Sequence, residues 1–116
     1  MSEKDRANIA AILDAIHKTS DYVFGIADAT EYYRSDMAFD ATLMNFIVIG
    51  ESADRISGDL KVKHPTVDWQ KIKDFRNLVA HDYLGIDAEE LWQIIHKDLP
   101  QLQSQLEVIA GEQSLD

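Results

Sequence analysis

Apolar residues recur at three- and four-residue steps through most of this chain, the period of amphipathic α-helices rather than strands. Ile9, Ile12, Leu13, Ile16, Tyr22 or Val23, and Ile26 follow that step, which predicts one long helix from about Glu3 to Ile26. Asp28 to Arg34 reads as a short helical link. Ser35 or Asp36 can then cap a second long helix. Phe39, Leu43, Phe46, Ile47, Ile49, Ala53 and Ile56 supply its apolar stripe, and Gly58 is its expected stop.

From Lys61 to Val67 the pattern lapses, and Pro65 forces His64 out of helical geometry. Asp68 is placed to cap a third helix bearing Trp69, Ile72, Phe75, Leu78 and Val79, running to about Tyr83 with Gly85 ending it. Asp87 followed by Glu90 has the spacing of a capping box. The last helix carries Leu91, Ile94, Ile95, Leu99, Leu102, Leu106 and Ile109, and Pro100 inside that stripe predicts a kink near Asp98. The pattern as a whole predicts an all-α fold, an up-and-down bundle of four to five helices.

Composition narrows the picture without redirecting it. At 116 residues the chain suits one domain, expected over positions 1–110 with a frayed tail at 111–116. Hydrophobic residues make up 46% of it, enough for a true core, while 5 Gly and 2 Pro are too few turn signals for an all-β fold. Cysteine is absent, which excludes disulfides and thiolate metal sites. The first residues lack the apolar block of a signal peptide, and no run approaches the ~20 apolar residues of a membrane span. A cytoplasmic protein with no membrane association is the expectation.

Charge separates one segment from the rest. The chain carries a net charge of −10, which opposes broad, non-specific nucleic-acid binding. Yet Lys61, Lys63, Lys71, Lys73 and Arg76 face only Asp68 and Asp74 within that stretch, a local +3 against −13 elsewhere. Such a cluster is either a solvated helix face or a landing site for an anionic ligand.

The third helix also breaks its own amphipathic rule. Arg76, Asn77, His81 and Tyr83 crowd into the run RNLVAHDY at positions 76 to 83. At about 100° per residue, Asn77 and His81 stand one above the other, while Arg76 and Tyr83 share a neighbouring face. An arginine offers planar, permanently charged donors to phosphate oxygens, and a histidine can take or give a proton near neutral pH. No obvious nucleophile accompanies them, so an attacking group would come from the substrate, as the 2′-hydroxyl of RNA does. Residue types alone leave a structural reading equally open. A histidine in a last helical turn interacts with the helix dipole, and Arg76 can pair with a nearby carboxylate such as Asp74.

A resemblance bears on that choice. RNLVAHDY resembles the Arg-x-x-x-x-His-x-Tyr signature of the HepT-like branch of HEPN domains, including the Asn directly after the Arg. IGESADRIS at 49 to 57 is similar to the family's Ile-Gly-Glu-Ala segment, departing from it at Ser52. Trp69-Gln70-Lys71-Ile72 resembles the Trp-x-x-Ile lead-in to the motif helix, and YLGID at 83 to 87, with LWQII after it, resembles the passage into the last helix. These segments fall in the family's order over roughly positions 5 to 106.

The resemblance implies a homodimeric, all-α toxin of a type II-like toxin–antitoxin pair. Its activity would be that of a metal-independent endoribonuclease with no cofactor, acting on RNA in a cleft shared by two motif helices. Its partner would be a minimal nucleotidyltransferase (MNT-type) antitoxin. Arg76 and His81 would be catalytic, Asn77 a supporting polar residue, and Tyr83 the tyrosine that receives AMP. Lys71 and Lys73 are the expected RNA-binding residues. Glu51 matches a family position without a catalytic role, and a Gly-Glu pair inside an apolar helix suits close packing at a helix or dimer contact. The alternative reading is a non-catalytic HEPN subunit that binds a nucleotidyltransferase.

Overall fold

The computed structural model describes residues 1–82 and 85–114, without the side chains at positions 81, 82, 113 and 114. Among these residues the chain is helical throughout: α1 (Glu3–Val23), α2 (Ala29–Arg34), α3 (Asp36–Arg55), α4 (Gly58–Lys63), α5 (Trp69–Asp82), α6 (Ala88–Gln93) and α7 (Leu99–Ser114). A π-helical turn, Ile94–Asp98, joins α6 to α7 without a break, so α1, α3, α5 and α6–α7 are the long members of an all-α bundle. The segment expected to fray is helical through Ser114. No helix among the described residues is long and apolar enough to cross a membrane.

Local chemistry explains the boundaries, including those where periodicity misleads. Ser2 caps α1 by accepting from the Asp5 N–H at 3.0 Å. The helix ends at Val23 rather than Ile26, because the chain turns at Gly25 with φ +84°, a conformation that L side chains rarely adopt. Asp28 caps α2 through the Glu31 N–H at 2.9 Å.

Gly58 does not stop α3. That helix ends at Arg55, Ile56 turns extended, and Gly58 opens α4, with Ser57 accepting from the Leu60 N–H at 3.2 Å. A serine cap three residues before a leucine makes this a helix start, where the glycine alone suggested an end. Asp68 caps α5 through the Lys71 N–H at 3.1 Å, and Asp87 caps α6 through the Glu89 N–H at 2.9 Å.

The kink expected near Asp98 takes the form of the π turn. Pro100 has no N–H to donate to the His96 carbonyl, and its ring would clash with that carbonyl in a regular α-helix. The turn before it widens instead, with the Leu99 N–H reaching back to the Ile94 carbonyl, and the extra residue makes room for the ring. Leu91 before the turn, Ile94 and Ile95 within it, and Leu99, Leu102, Leu106 and Ile109 after it all remain buried.

The core lies where α3 is flanked by α1 and α5, with α7 against α1 and α2 bridging α3 and α6. Ile12, Ile49, Ala53, Leu91 and Leu106 are fully buried there, and each isoleucine or leucine contributes about 1.5–3 kcal/mol by leaving water. The Phe46 and Phe75 rings meet edge to face at 5.4 Å, fixing the α3–α5 contact. Tyr32 is fully buried: its hydroxyl hydrogen-bonds Thr42, and its ring lies 5.6 Å from that of Trp92. At one end of the bundle the buried Asp5 carboxylate accepts from the Ser57 N–H at 2.8 Å and the Ser57 hydroxyl at 2.6 Å. That pair of bonds fastens the start of α1 to the α3–α4 junction.

Candidate active site on the third long helix

The arrangement around Arg76 begins with a glycine. Gly50 sits in the middle of α3, where α5 crosses closest: a Cβ built there would lie 2.7 Å from both Cβ and N of Arg76 and 3.1 Å from the Lys73 carbonyl. Nothing larger than hydrogen fits that space. The Gly-Glu pair therefore serves close packing between helices within one chain.

With the backbones this near, side chains one residue further along α3 reach α5 directly. Arg76 Nη1 donates to Glu51 Oε1 at 3.1 Å, and one turn away Lys73 Nζ meets Asp54 Oδ1 at 3.1 Å. Residues 51 and 54 on one helix face 76 and 73 on the other, which is the register of an antiparallel pair. The Lys73 ammonium beside Asp54 holds that carboxyl below its usual value, with Arg76 and Lys61 adding to the effect. These side chains are each about a third exposed or more, so neither ion pair adds much to stability. Their significance lies in orientation.

The structure separates the two lysines that the sequence groups together. Lys73 shares the Arg76 face, whereas Lys71 points to the other side of α5 and donates to Asp98 Oδ1 of the π turn at 3.0 Å. Lys71 there lines a cavity of about 240 Å³ with Thr66, Asp68, Gln101 and Gln105. The local positive segment is thus largely neutralised by acids from α3 and the π turn; Lys61 and Lys63 form no ion pair among the described residues. Arg76 does not pair with Asp74, which accepts from Gln70 at 2.9 Å instead.

Asn77, half-buried and one turn beyond Lys73 on α5, borders a cavity of about 390 Å³ that Lys71, Phe75, Leu78, Glu90 and Ile94 also line. Position 81 is on the helical backbone of α5, one turn beyond Asn77. The His81 side chain and all of Tyr83 lie outside the described residues. Among those described, no three His, Asp or Glu side chains gather in a way that could hold a metal ion.

Glu51 and Asp54 are the site neighbours that single-helix reasoning passes over. Their signal is faint but real: two acids three apart on α3 match two cations three apart on α5. What the arrangement can do chemically is present a fixed, partly exposed guanidinium on a helix that also carries position 81.

Comparison with known proteins gives this geometry its setting. The chain matches the family described as "Ribonuclease HepT-like" over residues 12–109. It is 30% identical over 110 residues to "Putative RNase MJ1380" of Methanocaldococcus jannaschii, a match covering 94% of this chain and 100% of that protein. It is 28% identical over 100 residues to "Probable ribonuclease HepT" of Thermococcus cleftensis, covering 75% of this chain and 91% of the relative. A second protein of Methanocaldococcus jannaschii, "Putative RNase MJ0127", is 30% identical over 105 residues, covering 86% and 83%. No solved structure matches the chain. With a family match spanning nearly its whole length, and with the Arg76 helix packed against the Gly50–Glu51 segment, the chain belongs to the ribonuclease HepT-like family.

Proposed function

We propose that this protein is a homodimeric, metal-independent endoribonuclease that cuts RNA by transesterification, and that it acts as the toxin of a toxin–antitoxin pair. The observation that carries the reading is the placement of Arg76. Its side chain, 31% exposed, stands on the motif helix that brings position 81 five residues further along.

In the proposed reaction one His81 removes the proton of a ribose 2′-hydroxyl, and the freed oxygen attacks the adjacent phosphorus. The bond from phosphorus to the 5′-oxygen breaks, and a second His81 returns a proton to that leaving oxygen. The products are a 2′,3′-cyclic phosphate and a 5′-hydroxyl. Arg76 stabilises the charge that develops on the phosphorane oxygens, the stage at which fixed donors contribute most. Asn77 supports the site as a polar neighbour of position 81, and Lys73 holds the RNA backbone beside Arg76. Lys71, on the other flank, guides a more distant phosphate.

One acid and one base require two motif histidines, and each chain supplies a single one, so the site is complete only in a dimer. Support for a second copy comes from α3. Met37, 81% exposed, and Met44, 59% exposed, share a face with the half-buried Val48 and with Glu51. An apolar stripe that leads to the Arg76 pair suits an isologous contact bringing two α5 helices together. In this reading Tyr83 is the residue to which an MNT-type nucleotidyltransferase partner adds AMP. The added phosphate would occupy Arg76 and repel the phosphates of RNA.

The test is cleavage of RNA in the presence of EDTA by the wild type, with His81→Ala and Arg76→Ala variants each losing activity while remaining folded dimers. A second reading, a non-catalytic subunit that binds a nucleotidyltransferase, is favoured by the net charge of −10 and by the pairing of Lys71, Lys73 and Arg76 with carboxylates. A wild type that leaves RNA intact at every salt concentration would establish that second reading.

A further inference from the structure

The proposed reaction requires Arg76 to meet a phosphate in a defined orientation, and an arginine on a helix surface has no such orientation by itself. Its long stem samples many rotamers, and fixing them costs entropy when a ligand binds. Here the guanidinium already has a partner. Glu51 Oε1 accepts from Nη1 at 3.1 Å, and no other protein acceptor for this guanidinium is found among the described residues. A guanidinium has five N–H donors in one plane. A single bond to one carboxylate oxygen leaves the remaining donors of this partly exposed side chain without a protein acceptor among the described residues, open to a phosphate.

The anchor is itself well placed. Glu51 follows Gly50 directly, and Gly50 touches the backbone and Cβ of Arg76. The distance from the Glu51 backbone to the Arg76 backbone is therefore set by a contact with no slack. The Lys73–Asp54 pair one turn away at 3.1 Å keeps α5 from rolling on α3. Both partners of the Arg76–Glu51 pair are about a third exposed, so the pair adds little to stability and its effect is chiefly on orientation.

We infer that Glu51 is a positioning residue for the ribonuclease reaction: its carboxylate holds one edge of the Arg76 guanidinium so that the other donors present a fixed set to the RNA phosphate. This rests on the ribonuclease reading above. Glu51 touches neither substrate nor reacting atoms; it acts through Arg76. Its loss releases the guanidinium into many rotamers and lowers the rate of the chemical step more than it weakens RNA binding.

The experiment measures kcat and KM for a short single-stranded RNA in EDTA, using the full chain as wild type, Glu51→Ala and Glu51→Gln, each checked for dimer state and melting temperature. Glu51→Ala is expected to lower kcat about ten- to a hundredfold, the usual cost of a misplaced catalytic group, with KM within about threefold. Glu51→Gln keeps an oxygen that accepts from Nη1, and should return kcat to within about fivefold of the wild type. If alanine unfolds the chain, Glu51→Met, of similar length without an oxygen, takes its place. A Glu51→Ala protein with wild-type kcat, a loss confined to KM, or a glutamine variant no better than alanine overturns the inference. An active wild type with an indifferent Glu51→Ala sinks the positioning role alone, whereas an inactive wild type sinks the ribonuclease reading and this inference with it.

Discussion

Gly50 on α3 and Arg76 on α5 meet so closely that a Cβ on the glycine would stand 2.7 Å from the Cβ of the arginine. Two opposing effects of a Gly50→Ala substitution can therefore be weighed. Alanine in a helix interior is favoured over glycine by about 1 kcal/mol. A methyl group forced into backbone contact costs typically 1–3 kcal/mol, because the helices must separate. The overlap is with a backbone nitrogen and a Cβ rather than the tip of a flexible chain, so the clash should win. Thermal unfolding followed by circular dichroism is expected to show a lower melting temperature for Gly50→Ala. A higher one would mean that α3 and α5 separate at no cost.

The proposed dimer would use the outward face of α3, where Met37, Met44 and Val48 follow one another. Met44→Glu places a charge in the middle of that stripe without touching the core of the protomer. Light scattering is expected to report a monomer at concentrations where the wild type is a dimer, and RNA cleavage should fall with the dimer fraction. A dimeric Met44→Glu protein would place the interface elsewhere.

Acid stability should depend on the Asp5–Ser57 fastening. Burial raises the Asp5 pKa, but the hydrogen bonds from the Ser57 hydroxyl and N–H outweigh it and hold the carboxyl below its usual value. A group whose folded pKa is depressed stabilises the fold above its unfolded pKa and loses that contribution as pH falls through the folded one. The protein is thus expected to lose stability below about pH 4, near the ordinary value for an aspartate. Ser57→Ala removes both the hydroxyl donor to Asp5 and the cap on the Leu60 N–H. Urea denaturation should show it about 1–3 kcal/mol less stable at neutral pH, with a shallower acid limb than the wild type. Parallel acid limbs would remove Asp5 from the explanation.

Tyr83→Phe keeps the ring and deletes the oxygen that would receive AMP. Incubated with ATP and the nucleotidyltransferase partner, the wild type is expected to gain the mass of AMP on the peptide containing position 83, and the variant to gain none. AMP found on the variant would assign the modification to another residue.

The bundle was legible because its long helices bury continuous stripes, such as Ile9, Ile12 and Ile16 on α1 or Leu99, Leu102 and Leu106 on α7. A six-residue helix like α4 buries only Leu60, which leaves no period to detect. Pro100 announced a disturbance but not its form, since a π turn conserves the stripe that a sharp kink would break. At the site, RNLVAHDY marked the helix, yet the carboxylate that binds Arg76 comes from Glu51, 25 residues earlier. Pairing of that kind depends on which helices cross and at what distance, and its local hints were Gly50 and the matched three-residue spacing of the acids on α3 and the cations on α5. The same limit hid the divergence of Lys71 and Lys73, two residues apart in sequence and on opposite flanks of α5.

In the proposed reaction the 2′-hydroxyl of the substrate is the nucleophile, under the control of His81 and Arg76. Mass spectrometry of the RNA ends produced in EDTA tests it most directly. The wild type should yield 2′,3′-cyclic phosphate and 5′-hydroxyl ends, and His81→Ala should yield no cleavage. Products ending in a 3′-hydroxyl and a 5′-phosphate, or cleavage that survives the loss of His81, would contradict it.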